Sequence, residues 1–222
     1  MATSVGCSRK TCDLPISRDS NAKYIQGDVY SLKESVYTPI YDILQQTFPN
    51  LGAAYARSQQ SFNDITTTPD VIANPRPAII MLDQDDDRRG LMVCLATTYS
   101  GKDLSELPRI FRHFSIPIAP HDHSCPGHLD HLHSLPEWGK ENAWIIAWSF
   151  PSTATRDRVW SKAVDGGRVP WVFGRDAMRF LRTECDRKLE EWKRMCEDPE
   201  LAAALEAELR VSATTYIQIA SD

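Results

Sequence analysis

A run of histidines around one cysteine is the most unusual local composition in the chain. All six histidines fall between positions 113 and 133. Imidazole nitrogen and thiolate sulfur are ligands for zinc, copper and nickel, and His-x-His and His-x-x-His spacings can place two rings on one ion. The candidate metal ligands are His121, His123, Cys125 and His128.

This histidine segment has three interpretations that its residues leave open. The first is a native site for zinc, although Cys125 lacks a second cysteine at the spacing of known zinc motifs. The second is an exposed loop between two strands, because histidine tracts also bind metal adventitiously. The third is a loop over a catalytic face, where an imidazole supplies a general acid or base near neutral pH.

A second set of chemically useful residues flanks the apolar runs in the middle of the chain. Guanidinium groups and hydroxyls bind phosphate oxygens, and exposed indole rings stack on nucleobases. Structural uses compete with these: a strand-edge arginine packs its stem and leaves its head in water, and threonine favours strands. The tryptophans of the set are Trp160 and Trp171, one or the other of which is expected to be exposed. Its other members, Arg76, Thr97, Thr98, Arg156 and Arg158, belong to segments that resemble a known protein family.

Short apolar runs predict the strands that position these side chains. The first two runs are joined by a charged segment, which predicts a hairpin. The predicted strands cover residues 77–82, 90–98, 114–119, 144–150 and 169–173. Residues 155–164 are predicted to form a short helix that ends at the two following glycines.

Helical periodicity is confined to the two flanks of this β region. Residues 34–58 carry apolar side chains at helical spacing, and residues 178–196 form a longer apolar stripe. Asp198 followed by Pro199 is typical of the start of a second C-terminal helix. The polar residues 1–22 predict a mobile tail.

Four segments, in this order along the chain, resemble the PemK/MazF toxin family. Members of that family are SH3-like β-barrels that cut single-stranded RNA without a metal. The resembling segments are Gly27-Asp28-Val29, Arg76-Pro77-Ala78-Ile79-Ile80-Met81, Leu91-Met92-Val93-Cys94-Leu95-Ala96-Thr97-Thr98, and Trp144-Ile145-Ile146-Ala147-Trp148-Ser149 with the following Arg156-Asp157-Arg158.

The resemblance implies a role for each of the candidate residues. Arg76 would clamp the scissile phosphate and shuttle a proton, and Thr97 or Thr98 would hydrogen-bond the same phosphate. Arg156 and Arg158 would bind further phosphates of the RNA. No cofactor is required by this chemistry, and toxins of this type form homodimers through the barrel.

Composition and charge narrow the class of protein. The net charge of −5 argues against a protein that coats nucleic acid non-specifically, but it leaves room for a local basic cleft. No apolar run approaches the roughly 20 residues that a membrane-spanning helix needs, and the start of the chain has no signal-peptide pattern. We therefore expect an intracellular, cytoplasmic protein with no membrane partner and with its six cysteines reduced.

Together these features predict an α+β protein built on a small SH3-like barrel with added N-terminal and C-terminal helices. Residues 23–222 would form one domain, with a helical extension at about 174–210. The predicted function is metal-independent RNA cleavage or RNA binding. The alternative is a non-enzymatic scaffold whose histidine-rich loop holds zinc or a protein partner. If Arg76 and the two threonines converge on an open concave face, the nuclease is favoured; if helices or the loop fill that face, the scaffold is favoured.

Overall fold

The structure is a computed structural model that describes residues 22–48, 75–84, 90–119, 131–154 and 156–208. The helices are α1 (Tyr37–Thr47), α2 (Arg109–Phe114), α3 (Arg175–Glu197) and α4 (199–208). The strands are β1 (Val29–Leu32), β2 (Arg76–Ile80), β3 (Leu91–Thr97), β4 (Ser115–Ile118), β5 (Ser134–Leu135), β6 (Ala143–Ile146), β7 (Phe150–Ser152), β8 (Arg156–Val159), β9 (Ser161–Val164), β10 (Gly167–Pro170) and β11 (Val172–Phe173).

Seven strands form one antiparallel sheet in the order β4-β6-β3-β2-β1-β8, with β7 also paired to β3. Besides β2, strand β3 pairs with two further strands: β7 pairs with its first residues and β6 with its last two. Strands β9 and β10 form a separate hairpin, and β11 pairs with β5. The predicted α+β class is therefore confirmed.

The predicted closed barrel is wrong for the strands that the structure describes. Their sheet is an open path that ends at β4 on one side and at β8 on the other, and no pairing joins these two ends. The added helices pack on the faces of this open sheet, so they cover apolar surface that a barrel would enclose.

The predicted helix over residues 155–164 is also wrong. This stretch forms β8 and β9: β8 pairs with β1, and β9 turns back through Asp165-Gly166 into β10. Gly166, the second residue of this turn, has a φ of 91°, a left-handed conformation that glycine adopts without strain. The glycine that was expected to end a helix therefore makes a hairpin, and long-range pairing with β1 overrides the weak local helix signal.

Apolar side chains from the sheet enter two cores, one on each face. In β3, Leu91, Val93 and Leu95 face the core that contains α1 and α2, while Cys94 and Ala96 face the other. Burial on both faces explains why β3 is almost uniformly apolar in sequence.

Helix α3 spans both cores and confirms the predicted C-terminal stripe. Its first half buries Met178, Leu181 and Cys185 in one core, and Trp192 further along lies in the other. The predicted start of α4 is confirmed as well, because the Asp198 carboxylate accepts hydrogen bonds from the backbone N–H groups of two residues in the first turn. None of the helices in the described ranges is both long enough and apolar enough to cross a membrane.

Candidate functional site

A cleft of about 680 Å³ opens at one end of the sheet. It lies where β1, β2 and β3 bring their adjacent ends together and where β6 and β8 approach them. Because the cleft wraps the end of the sheet, residues from both sheet faces reach it. Its cations are Arg76, Lys140, Arg158 and Arg168; its hydroxyls belong to Ser31, Thr97, Thr98, Ser100 and Ser161; its aromatic residues are Trp138, Trp160 and Trp171.

The three predicted catalytic residues meet in this cleft. Strands β2 and β3 pair from Ala78–Leu95 to Ile80–Val93. Arg76 lies two residues before this paired stretch and Thr97 two residues after it, and both line the cleft. Thr98 follows immediately and also lines the cleft. The antiparallel register of β2 against β3 therefore joins two segments that lie about 20 residues apart in sequence.

The charge of the cleft is opposite to that of the whole chain. Four basic side chains line it, and none of its described lining residues is a carboxylate, although the protein carries a net charge of −5. Like charges collected in a concave surface focus their field and attract anions. The arrangement suits a polyanionic ligand.

Arg76 is half-buried at the first position of β2. Burial lowers the pKa of its guanidinium, and the Tyr37 phenol acts in the opposite direction. Its side chain forms no ion pair with a carboxylate in the described part of the chain, and an arginine stays positively charged at neutral pH. A partly desolvated cation without a counter-charge attracts a phosphate more strongly than an exposed one does.

A strained turn carries the threonines into the cleft. Tyr99 and Ser100 have φ values of 47° and 57°, in the left-handed region that non-glycine residues rarely adopt. The Thr97 hydroxyl accepts a hydrogen bond of 3.0 Å from the Tyr99 N–H, and the Tyr99 hydroxyl is 2.7 Å from the Ser115 hydroxyl. These contacts hold the turn, and the proton of the Thr97 hydroxyl stays available to a ligand. Strained backbone of this kind concentrates at functional sites.

The three tryptophans differ in exposure. Trp138 and Trp171 form the floor, with ring centroids 5.6 Å apart, and the Trp171 indole N–H donates to the Glu137 carbonyl. Of the two tryptophans named as candidates for exposure, Trp171 is the buried one, at only 9% exposed. Trp160 is half-buried, which makes it the tryptophan best placed for a ligand to stack on.

The remaining predicted residues have different outcomes. Arg158 lines the cleft, whereas the Arg156 side chain lies outside what the structure describes. His121, His123, Cys125 and His128 also lie outside the described residues, so the zinc site stays a prediction. Within the described ranges, no three histidine, cysteine or acidic side chains are grouped so as to hold a metal ion.

The structure adds cleft residues that sequence reasoning missed. These residues lie in short elements, or in elements whose type or bounds differ from the predicted ones. They are Ser31, Trp138, Lys140 and Arg168. The Asp165-Gly166 dipeptide was the signal that could have found Arg168, because it is typical of a two-residue hairpin and places Arg168 on its second strand.

A scan against protein-family models and searches of curated proteins and of solved structures find no match to this chain. The cleft itself and the order of the segments that line it are therefore the basis for assigning a function. No residue of α3 lines the cleft, so the long C-terminal helix does not fill it. Most of the histidine-rich loop, which the geometric criterion also names, lies outside the described residues.

Proposed function

We propose that the protein binds single-stranded RNA in the cleft at the end of its sheet and cleaves it without a metal. One observation carries the proposal: Arg76, Thr97 and Thr98, to which the family resemblance assigns this chemistry, line a single basic cleft. None of the described lining residues is a carboxylate, which is the side chain that usually binds a divalent cation. The basic and hydroxyl side chains of the cleft are instead groups that bind phosphate.

We also propose that the fold is related to the SH3-like barrel of the PemK/MazF family and that the barrel is opened here into a sheet. What supports it is the adjacency of the resembling segments. They contribute β1, β2, β3, β6 and β8, which are consecutive in the sheet order β6-β3-β2-β1-β8. The added helices would then take the place of the surface through which such toxins dimerise, and the predicted homodimer or protein partner stays a prediction.

The reaction would use the RNA's own 2′-hydroxyl as nucleophile. The 2′-oxygen bonds to the adjacent phosphorus, the bond from phosphorus to the 5′-oxygen breaks, and the proton lost by the 2′-hydroxyl ends on the departing 5′-oxygen. The products are a 2′,3′-cyclic phosphate and a 5′-hydroxyl. Negative charge builds on the phosphoryl oxygens in the transition state, where Arg76 and a threonine hydroxyl stabilise it.

The test is incubation of untagged protein with mixed-sequence single-stranded RNA, with and without EDTA, followed by mass spectrometry of the product ends. We expect EDTA-resistant cleavage that leaves 2′,3′-cyclic phosphates. Arg76→Ala should lower the rate by about 10²–10³-fold while the circular dichroism spectrum is unchanged. Arg179→Ala is the matched control because this exposed arginine lies on α3, away from the cleft.

Three results would contradict the proposal. Cleavage abolished by EDTA would move the chemistry to a metal and draw attention to the histidine segment. An unchanged rate in Arg76→Ala would remove Arg76 from the mechanism. Absence of cleavage by folded protein would leave the scaffold as the function to test.

A further inference from the structure

The proposed cleavage uses Arg76 and the threonines of the cleft. The cleft is also lined by Ser31, Trp160, Arg168 and Lys140, none of which the reaction requires. These residues come from β1, the β8–β9 junction, β10 and the loop before β6. A cleft built from four separate elements, with one aromatic and two cationic side chains in addition to the reacting residues, has the composition of a nucleotide-binding surface.

Ser31 supplies an observation that is independent of charge. The residue is 1% exposed, and its hydroxyl has no hydrogen-bond partner among the described residues, yet it lines the cleft. A buried hydroxyl without a hydrogen-bond partner destabilises the folded protein. Such a group is readily explained where a bound ligand completes its hydrogen bonding.

Trp160 is held in position by backbone hydrogen bonds on both sides. Its N–H donates to the Val29 carbonyl at 2.8 Å, and its carbonyl accepts from the Trp171 N–H at 3.0 Å. The half-buried indole therefore borders the cleft on a fixed backbone. An aromatic ring held in this way stacks on a nucleobase with little loss of conformational entropy.

Arg168 lines the same cleft from the β9–β10 hairpin. Its guanidinium Nε donates to the Ser161 hydroxyl at 2.7 Å and its Nη2 to the Ser161 carbonyl at 3.4 Å, which leaves Nη1 available to a phosphate. Arg168 is paired with Ala163, whereas Lys162 is paired with Val169 and belongs to the opposite face of the hairpin. Lys162 does not line the cleft.

We propose that Trp160, Ser31 and Arg168 form a nucleotide subsite that binds a residue of single-stranded RNA beside the scissile phosphate. Trp160 stacks on the base, the Ser31 hydroxyl hydrogen-bonds the base edge or sugar, and Arg168 and Lys140 bind the neighbouring phosphate. The proposal rests on the proposed function for its ligand class, but it does not require cleavage. Because a base must leave its helix to stack on Trp160, the subsite selects single strands over duplexes.

The test measures binding separately from chemistry. The probe is a fluorescently labelled 2′-O-methyl RNA single strand of mixed sequence, which has no free 2′-hydroxyl and cannot be cleaved by the proposed reaction. Binding to the full chain is followed by fluorescence anisotropy. We expect Trp160→Ala to raise the Kd at least tenfold, Arg168→Gln about fivefold and Ser31→Ala about threefold, in line with the strength of stacking and charged contacts.

The matched control is Lys162→Gln, which removes the same charge from the same hairpin on its other face. Its Kd should stay within twofold of the wild type. Trp160→Phe keeps an aromatic ring and should retain most of the affinity, so it separates stacking from any folding defect of the alanine variant. An unlabelled duplex of the same sequence should compete at least tenfold less well than the single strand.

The outcomes separate the subsite from the nuclease. Equal Kd values for Arg168→Gln and Lys162→Gln, equal competition by the duplex, or no binding by the wild type would each overturn the subsite. If the wild type cleaves RNA while the variants bind normally, the nuclease stands and the subsite fails. If the variants lose binding while the wild type never cleaves, the subsite stands and the nuclease fails.

Discussion

Two regions of this protein bring tryptophan and basic side chains together, and they use them in opposite ways. Where α2 packs on α3, Trp192 is 0% exposed, its ring lies 5.6 Å from that of His113, and Lys188 is only 2% exposed. At the end of the sheet, Trp160 is half-buried and Arg168 is exposed. The residue types are similar, but the accessibility of their polar groups is not.

The two regions differ in whether their polar side chains have hydrogen-bond partners within the protein. In the helix contact, the Lys188 ammonium donates to the His113 carbonyl at 2.5 Å, the His113 ring Nε2 is 2.7 Å from the Lys188 carbonyl, and the Trp192 indole N–H reaches the Thr47 hydroxyl. These three polar side chains are satisfied within the protein. In the cleft, Arg76 has no carboxylate partner and Ser31 has no partner at all among the described residues. Groups that partner each other stabilise the fold, and groups left without partners can bind a ligand.

The largest expected effect separates the two tryptophans by stability. Trp192→Ala should lower the free energy of unfolding by about 3–5 kcal/mol, because it empties a fully buried site. Trp160→Ala should cost less than about half of that, since this indole is already half in water. Urea unfolding followed by circular dichroism measures both. Equal losses would mean that Trp160 is a core residue and would weaken its assignment to the cleft.

The next effect is a pH dependence of the free energy of unfolding, and it arises where α2 packs on α3. Burial is the main cause that lowers the pKa of Lys188 from 10.5 to about 8. Arg187 acts in the same direction, and Glu184, Glu191 and Cys185 on the same helix act against it. Between these two pKa values the unfolded chain holds a proton that the folded chain does not, so stability rises with pH across this window. Below pH 8 both states are protonated, and the folded state bears the full cost of the buried charge.

Lys188→Met removes that linkage. From pH 7 to pH 10 the free energy of unfolding of the wild type should rise, relative to the variant, by on the order of 2 kcal/mol. Taking the difference between the two proteins cancels the titration of the tyrosines. Burial lowers the pKa of His113, so this residue titrates below this pH window. Parallel pH profiles would show that Lys188 is hydrated in solution.

The smallest effect separates the two threonines of the cleft. The Thr98 hydroxyl has no protein partner among the described residues, so Thr98→Val should leave the melting temperature unchanged while lowering the RNA cleavage rate by about 10-fold. Thr97→Val should also lower the free energy of unfolding by about 1 kcal/mol, because the Tyr99 N–H loses its acceptor. Initial rates and thermal melts measure the two effects.

The matched control for the threonines is Thr183→Val on the exposed side of α3, whose hydroxyl bonds the Arg179 carbonyl of its own helix. Its cleavage rate should equal that of the wild type. If Thr98→Val cleaves at the wild-type rate and Thr97→Val does not, Thr97 alone binds the phosphate. If neither changes the rate, the threonines are structural and only Arg76 remains of the predicted set.

Local sequence was sufficient where the signal depended on side-chain periodicity. The apolar runs predicted β2 and β3 because residues buried on both faces of a strand leave a continuous hydrophobic stretch. The stripe from Met178 to Cys196 predicted α3 for the corresponding reason in a helix. Arg76 and Thr97 were predicted from the resemblance of their segments to the PemK/MazF family, and each stands at the end of such an apolar run.

Local sequence was insufficient where a distant strand decided the outcome. Residues 156–164 have no strong pattern of their own, and pairing with β1 makes the first four of them a strand rather than a helix. The local sequence does not indicate a function for Arg168, Lys140 or Ser31. Their place in the cleft follows from the β9–β10 turn and from the strands that neighbour β1. The open path of the sheet likewise depends on which strand ends meet, and no single segment encodes this.

The sequence by itself determined which residues carry groups that could bind phosphate, and it predicted the strands β2 and β3 and the helix α3, because charge, hydroxyl chemistry and hydrophobic period are local properties. Only the tertiary structure decided that Arg76 and Thr97 line one cleft, that Trp160 borders the same cleft while Trp171 forms its floor, and that α3 leaves this cleft uncovered. The physical reason is that strand register and helix packing are set by contacts between segments far apart in the chain. Convergence of side chains on one site is a property of those contacts.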